Sequence, residues 1–303
     1  MSKSKKRIFI ISMVVTIIIC GVAAKIIIDG LKPQQEYSVH SGMKVSNLKG
    51  MLELKNNSID NFLDKDNNIK IDFEIYNYND RKVKYEMTVL VNYHQKSFKK
   101  DNLELQKYEF ELSSQGCNKY SVTLDKKAFK YQVNDVVIVL RQDTDVYSDE
   151  NELVSDTNTI CRHYIIENNS SEETIVKTQK IKISELDDDL DTEASLKCMN
   201  MKKTLGISVD KNQKIKLKID MKNNEIGTDY ILVCLLNGNQ ISINNKDYMT
   251  YSDDLENMEI YAPDKSGKYE MEFLCIPNLS NAVINTEKEI PVISSNRYTL
   301  EVE

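Results

Sequence analysis

The sequence predicts an all-β chain: an N-terminal single transmembrane helix followed by two tandem antiparallel β-sandwich domains. Three observations carry this. A basic cluster runs directly into an apolar stretch at residues 8–28. From Ile69 onward, apolar and polar residues alternate with period two in run after run. Two short continuous apolar runs, Val136–Leu140 and Tyr230–Leu236, sit among those alternating runs, one in each half.

Lys3, Lys5, Lys6 and Arg7 precede the apolar run Ile8–Ala24, which resumes after Lys25 as Ile26–Ile28 and stops at Asp29, Gly30 and Pro33. A bilayer core of about 30 Å takes roughly 20 apolar residues in helix. Residues 8–28 meet that length if the Lys25 ammonium reaches the interface. The positive-inside rule keeps residues 1–7 in the cytoplasm and translocates the rest. Val22-Ala23-Ala24 also offers a signal-peptide cleavage pattern, so a secreted form starting at Lys25 stays open. Length favours the retained anchor. Residues 29–66 are polar and mixed, a stalk with room for one edge strand or short helix.

Ile69, Ile71, Phe73 and Ile75 alternate with Lys70, Asp72 and Glu74, and a second run, Val83 to Tyr93, alternates in the same way. The Asn77–Asp80 turn between them predicts two neighbouring, half-buried strands. Further strands are expected at 103–112, 119–124, 135–141 and 159–166, completing a first sandwich over 67–166. Val136–Leu140, β-branched and too short for a helix here, is expected to be central. Glu167-Asn168-Asn169-Ser170-Ser171-Glu172-Glu173 is a polar break, assigned with residue 174 as the linker 167–174. The second sandwich, 175–303, takes strands at Thr174–Ile183, Ile215–Met221, Tyr230–Leu236, Gln240–Ile243, Met258–Tyr261, Lys268–Cys275 and Tyr298–Val302. Asn237-Gly238 is a hairpin turn. The halves share a plan of alternating strands around one continuous apolar strand.

Asp264-Lys265-Ser266-Gly267-Lys268-Tyr269 resembles the entry to the penultimate strand of immunoglobulin-like and fibronectin-III-like domains. There a Gly-x-Tyr turn sets a Tyr whose hydroxyl bonds a nearby backbone group. The resemblance implies that role for Gly267 and Tyr269. Two features depart from it: Met271 stands where the family has Cys, and the chain has no Trp. Alternation puts Tyr269, Met271, Phe273 and Cys275 on the core face and Glu270 and Glu272 toward water.

Residues 1–32 hold six bases and one acid, so with the chain at −7 the remainder carries −12. An acidic ectodomain repels polyanions, which argues against nucleic acid as a partner. Only 9 glycines leave no GxGxxG or GxxxxGK to place, which argues against nucleotide. His40, His94 and His163 lie in no nucleophile or zinc signature. Asp64-Lys65-Asp66-Asn67-Asn68 begins like a calcium loop but has Ile69 where Gly and Ile75 where Glu is needed. Asp143, Asp145, Asp149, Glu150, the run Asp187–Asp191 and Asp253-Asp254 read as solvated acidic loops. No catalytic, cofactor or metal residue is assigned. Cys117, Cys161, Cys198, Cys234 and Cys275 form no CxxC; they read as mostly free thiols, with a Cys234–Cys275 bridge as the alternative. Tyr76 and Tyr78 are the best candidates for an aromatic platform.

Of the 40 basic residues only five, at 7, 81, 141, 162 and 297, are Arg, a Lys-rich bias that fits an AT-rich bacterial genome. The expected class is a non-enzymatic, membrane-anchored extracytoplasmic binding or accessory protein of a bacterial cell envelope. Its expected partners are the membrane, through the N-terminal helix, and another envelope protein, a peptide or a glycan. The alternatives are an envelope hydrolase with a dispersed carboxylate site and a secreted adhesin or carbohydrate-binding module.

Overall fold

The computed structural model describes residues 41–45, 58–101, 103–147, 159–173, 194–198, 206–221, 230–250, 258–278, 292–295 and 297–303. The predicted membrane helix at 8–28, His40 and the predicted strand Thr174–Ile183 lie outside them. Among the described residues no helix is long and apolar enough to cross a membrane.

The described chain is almost entirely β. The first half supplies β1 (Ser41–Val45), β2 (Ile69–Asn77), β3 (Val83–Val91), β4 (His94–Gln95), β5 (Phe98–Lys100), β6 (Leu103–Leu105), β7 (Lys107–Leu112), β8 (Cys117–Leu124), β9 (Val133–Gln142) and β10 (Thr159–Glu167). The second half supplies β11 (Ala194–Cys198), β12 (Gly206–Val209), β13 (Lys214–Met221), β14 (Tyr230–Leu236), β15 (Asn239–Ile241), β16 (Met249–Thr250), β17 (Met258–Tyr261), β18 (Gly267–Pro277), β19 (Ile293–Ser294) and β20 (Tyr298–Val302).

These strands build four sheets. The first runs β1-β2-β8-β5-β6 and the second β10-β9-β3-β4, with β7 also on β3. The third runs β12-β20-β18-β14-β15, and the fourth β11-β13-β17. Ile71, Phe73, Tyr85, Val136 and their neighbours form one core between the first and second sheets. Leu217, Ile260, Leu232, Phe273 and Leu300 belong to another between the third and fourth. A third cluster joins the middle two sheets: Leu90, Tyr93, Val137 and Val139 against Ile231, Val233, Leu235, Leu274 and Ile276. The molecule is therefore two sandwiches packed face to face, with the second and third sheets covered on both sides.

That layering explains the continuous apolar runs. Even-numbered residues of β14 fill the second sandwich's own core, and Ile231, Val233 and Leu235 fill the seam. Both faces of such a strand gain from burial, about 1.5–3 kcal/mol for each large side chain. It also corrects two expectations. β2 and β3 are not neighbours: they lie in opposite sheets, and the chain crosses between them at a turn tied by Asn77 Nδ2, which donates to the carbonyls of Arg81 and Ser113 at 2.8 Å. β3 is not half-buried, because its second face lies in the seam. The polar break after β10 is bonded back to the first sandwich as far as it is described: Asn168 Nδ2 donates to Phe129 O at 2.7 Å, and Glu173 O accepts from Gln132 N at 2.8 Å.

The two sandwiches repeat one topology. β1-β2-β8 and β10-β9-β3-β4 are matched by β11-β13-β17 and β20-β18-β14-β15. Register fixes the equivalences: Tyr85 pairs with Gln142 and Leu90 with Val137, as Tyr230 pairs with Pro277 and Leu235 with Glu272. Each half carries a two-residue hairpin with positive φ at both turn positions, Asn92-Tyr93 and Asn237-Gly238. Each turn Asn accepts a backbone N–H from the next strand through Oδ1, from Asp135 at 3.0 Å and from Glu270 at 2.7 Å.

Candidate functional site

The two equivalent hairpins meet across the seam in a reciprocal clasp. Gln95 N donates to Gln240 Oε1, and Gln240 N donates to Gln95 Oε1, both at 2.6 Å. Gln240 Nε2 donates to Tyr93 O at 2.8 Å and Gln95 Nε2 to Gly238 O at 3.3 Å. Residue i touching j while j touches i is the mark of a two-fold relation, so the seam is built like an isologous dimer interface within one chain.

An apolar belt fills its middle, and each pole holds an acid–base pair. At one pole His163 on β10 pairs through Nε2 with Asp135 on β9. At the other, Arg297 Nη1 lies 3.2 Å from Glu270 Oε1. These pairs are equivalent: Val136 pairs with Tyr164 as Met271 pairs with Tyr298, and the preceding register step places Arg297 where His163 stands. Beyond that the symmetry fails. Glu86 and Arg141 face each other across β3 and β9 where the second half has Ile231 and Ile276, and Glu272 stands where the first half has Val137.

One pole therefore gathers a charge cluster. Arg141 donates through Nη1 to Glu86 at 2.6 Å, through Nε to Glu272 at 3.1 Å, and through Nη2 to Glu270. Lys107 Nζ donates to the other Glu86 oxygen at 2.5 Å and to Asn237 O at 3.0 Å. Glu86, Arg141, Glu270, Glu272 and Arg297 are each no more than 3% exposed. Burial pushes the Glu270 carboxyl up to about 7, although Arg297 and Arg141 oppose the shift. Burial also lowers the Arg297 pKa, against the pull of Glu270. The expectation that Glu270 and Glu272 face water is thus corrected: their side of β18 is the seam, not the surface. Gly238 is fitted to the cluster, since a Cβ there would fall 1.8 Å from Glu86 Oε1 at a φ of +70°.

Tyr269, Met271, Phe273 and Cys275 do turn toward the second core, and the Tyr269 hydroxyl donates to Lys265 O at 2.9 Å, as the immunoglobulin-like corner requires. Tyr76 and Tyr78 are parallel to within 7°, with ring centroids 5.9 Å apart. Tyr78 is 50% exposed and lies over Gly42, where an added Cβ would come within 3.1 Å of the ring. The Tyr76 hydroxyl donates to Glu74, which raises the phenol to about 12. His94 Nδ1 lies 3.1 Å from Asp247 Oδ2, and its ring stands edge-on to Tyr248; burial lowers its pKa, with Lys96 adding. Asp64 Oδ1 accepts the Asn68 and Asp66 amides at 2.9 Å, and these hold its carboxyl below the ordinary value. Asp143 pairs with Arg81 at 2.6 Å. Asp149, Glu150, Asp187–Asp191 and Asp253-Asp254 lie outside the described residues.

Cys117, Cys161, Cys234 and Cys275 are free thiols. Cys234 and Cys275 share a core face one diagonal apart, since Cys234 pairs with Phe273, and burial raises the Cys275 thiol to about 12. The side chain of Cys198 is not described. Sequence reasoning missed the charge cluster, although one signal was present. In a chain this poor in Arg, Arg141 closes the apolar run Val136–Leu140. Bidentate, always-charged guanidinium is the group suited to sharing buried carboxylates.

No family model matches the chain, and no curated protein matches it. Among solved structures it is similar to red sea bream transglutaminase, at 9% identity over 86% of this chain and a TM-score of 0.25. The chain spans 31% of the length of that transglutaminase. It is also similar to CBD12 from CALX1.2, at 8% identity over 75% of this chain and 92% of that one, TM-score 0.22. The Salmonella enterica SafA pilin in complex with the SafB chaperone gives 10% identity over 84% of this chain and 95% of that one, TM-score 0.24. The sandwich architecture rests on the sheets described above, and likeness at this level assigns neither activity nor partner.

Proposed function

We propose that the chain is a non-enzymatic binding or accessory protein of a bacterial cell envelope, anchored by residues 8–28 with its N-terminus cytoplasmic and its β-block extracellular. One observation carries the reading: Lys3, Lys5, Lys6 and Arg7 lead directly into a membrane-length apolar stretch, and an acidic all-β body follows. Two others support it. His94 and His163 are each engaged by an aspartate, and the shared face of the sandwiches is filled by packing and ion pairs. The partner is another envelope protein, a peptide or a glycan; the acidic field argues against nucleic acid, and the absence of any phosphate loop against nucleotide. Protease added to intact spheroplasts should digest the β-body and leave an anchored N-terminal fragment; full protection of the β-body would overturn the topology.

A second reading, a secreted carbohydrate-binding module, is favoured by the parallel Tyr76 and Tyr78 rings on an open sheet face. It requires a mature N-terminus at Lys25 and sugar binding that Tyr78→Ala abolishes.

A further inference from the structure

We propose that the seam between the two sandwiches is a proton-operated latch, which closes more tightly when Glu270 takes up a proton and loosens when it releases one. This goes beyond the anchoring and binding role and does not depend on it.

The fully buried part of the cluster holds three carboxylates, Glu86, Glu270 and Glu272, against two guanidiniums, Arg141 and Arg297. The sixth member, Lys107, is 28% exposed and reaches in from β7 to Glu86 alone. One proton on a carboxylate balances these five buried groups. Glu86 has both oxygens engaged, by Arg141 and by Lys107. Glu270 and Glu272 sit two residues apart on one face of β18, and Arg141 is divided among all three carboxylates. Glu270 Oε1 and Glu272 Oε1 are both buried without a hydrogen-bond partner, the former 3.2 Å from Arg297 Nη1 as an ion pair only. Outside this set, Asp143 acts on Arg297 from the end of β9 and is itself paired with Arg81. At the opposite pole Glu86, Arg141 and Glu272 are replaced by Ile231, Ile276 and Val137, and Glu270 and Arg297 by Asp135 and His163, so the seam closes there on one acid–base pair among apolar side chains. Buried ionic clusters are commonly no more stable than apolar replacements. The five-member cluster thus adds pH dependence at a pole whose equivalent closes with a single acid–base pair.

The direction follows from linkage. In the closed seam burial holds the Glu270 carboxyl near 7; water reaching it on opening returns it toward its ordinary 4.5. The closed form therefore binds the proton more tightly. Closure is favoured most below pH 4.5, and that advantage is lost as pH rises through 7. Between pH 5 and pH 8 the opening equilibrium should change about 70-fold.

Native cysteines make the test site-resolved. In the full chain carrying Val137→Cys, which puts a thiol at a fully buried seam position, alkylation is followed by peptide mass at each cysteine. Exposed Cys117 gives the intrinsic rate at each pH, and core-facing Cys234 reports unfolding of the second sandwich. The seam-to-Cys117 rate ratio should rise about 70-fold from pH 5 to pH 8 and run ahead of Cys234. Glu270→Gln should flatten the rise to within about threefold, and His163→Gln should leave it in place. A flat ratio in the parent chain, an undiminished rise in Glu270→Gln, a rise lost in His163→Gln, or Cys234 labelling in step with the seam would each overturn the latch. If Glu270→Gln does not fold, the parent chain's pH series against Cys234 still decides.

Discussion

Gly238→Ala tests the closeness of fit between the second hairpin and the charge cluster. Gly238 occupies the second position of a two-residue turn at φ +70°, and its missing Cβ leaves room for the Glu86 carboxylate of the other sandwich. A methyl group would lie 1.8 Å from Oε1 and 2.5 Å from Cδ, so the carboxylate must move. Glu86 has nowhere equivalent to go, since Arg141 and Lys107 engage both oxygens and the side chain is buried. The left-handed backbone costs a non-glycine residue about 1–2 kcal/mol. Displacing Glu86 breaks a buried pair, which costs about 3–5 kcal/mol when one partner is lost. The two ranges add to about 4–7 kcal/mol, and the lower end, about 4 kcal/mol, is expected because the carboxylate is displaced and not removed. Urea denaturation of the full chain would measure it, alone and in a Glu86→Ala background. With Glu86 truncated, only the backbone share should remain, about 1–2 kcal/mol. A cost below about 1.5 kcal/mol in the parent chain, or equal costs in both backgrounds, would refute the close approach across the seam.

Two further outcomes follow from the same geometry. Tyr269→Phe removes only the hydroxyl that donates to Lys265 O; because that bond is solvent-exposed, denaturant melts should show a loss of about 0.5–1.5 kcal/mol, and no change would remove the corner. Residues 175–303 expressed alone should behave as a soluble monomer only when Ile231, Val233 and Leu274 are made polar, since they otherwise present one face of the seam to water; size-exclusion chromatography of both forms reads this directly.

The strands were legible because alternation survives wherever one sheet face meets a core. β14, β17 and β20 fall where the sequence puts them, and β9 and β18 differ by two residues or fewer at either end. Pairing was not legible. The Asn77–Asp80 segment has the composition of a hairpin turn, yet Asn77 uses its amide to tie an arch between sheets. Local turn chemistry fixes a change of direction, and the partner strand is chosen by long-range packing. Glu270 and Glu272 were misplaced for a related reason. Alternation identifies two faces but does not say that the polar one meets water, and a second sandwich can cover it if it brings guanidiniums. Across the described residues all four arginines serve the structure: Arg81 holds Asp143, Arg162 donates to Met43 O at 3.0 Å on edge strand β1, and Arg141 and Arg297 hold the seam.

The repeat itself was readable in one place. Leu90-Val91-Asn92-Tyr93-His94-Gln95 and Leu235-Leu236-Asn237-Gly238-Asn239-Gln240 share the Leu, Asn and Gln that build the clasp. A two-fold seam raises the question of why each half meets the other and not a second copy of itself. Two second sandwiches facing one another would set Glu270 and Glu272 against Ile231 and Ile276, leaving Glu270 with Arg297 alone and Glu272 without the guanidinium it accepts from. An uncompensated buried charge costs several kcal/mol, enough to forbid that pairing. The position exchanged for Arg141 thus selects the partner, while the clasp, present in both halves, sets only the angle at which they meet. The glycine at the second turn position obeys the same asymmetry. Gly238 must be small because Glu86 approaches it, whereas Tyr93, its equivalent, buries its ring in the apolar cluster of the seam, edge-on to Tyr248.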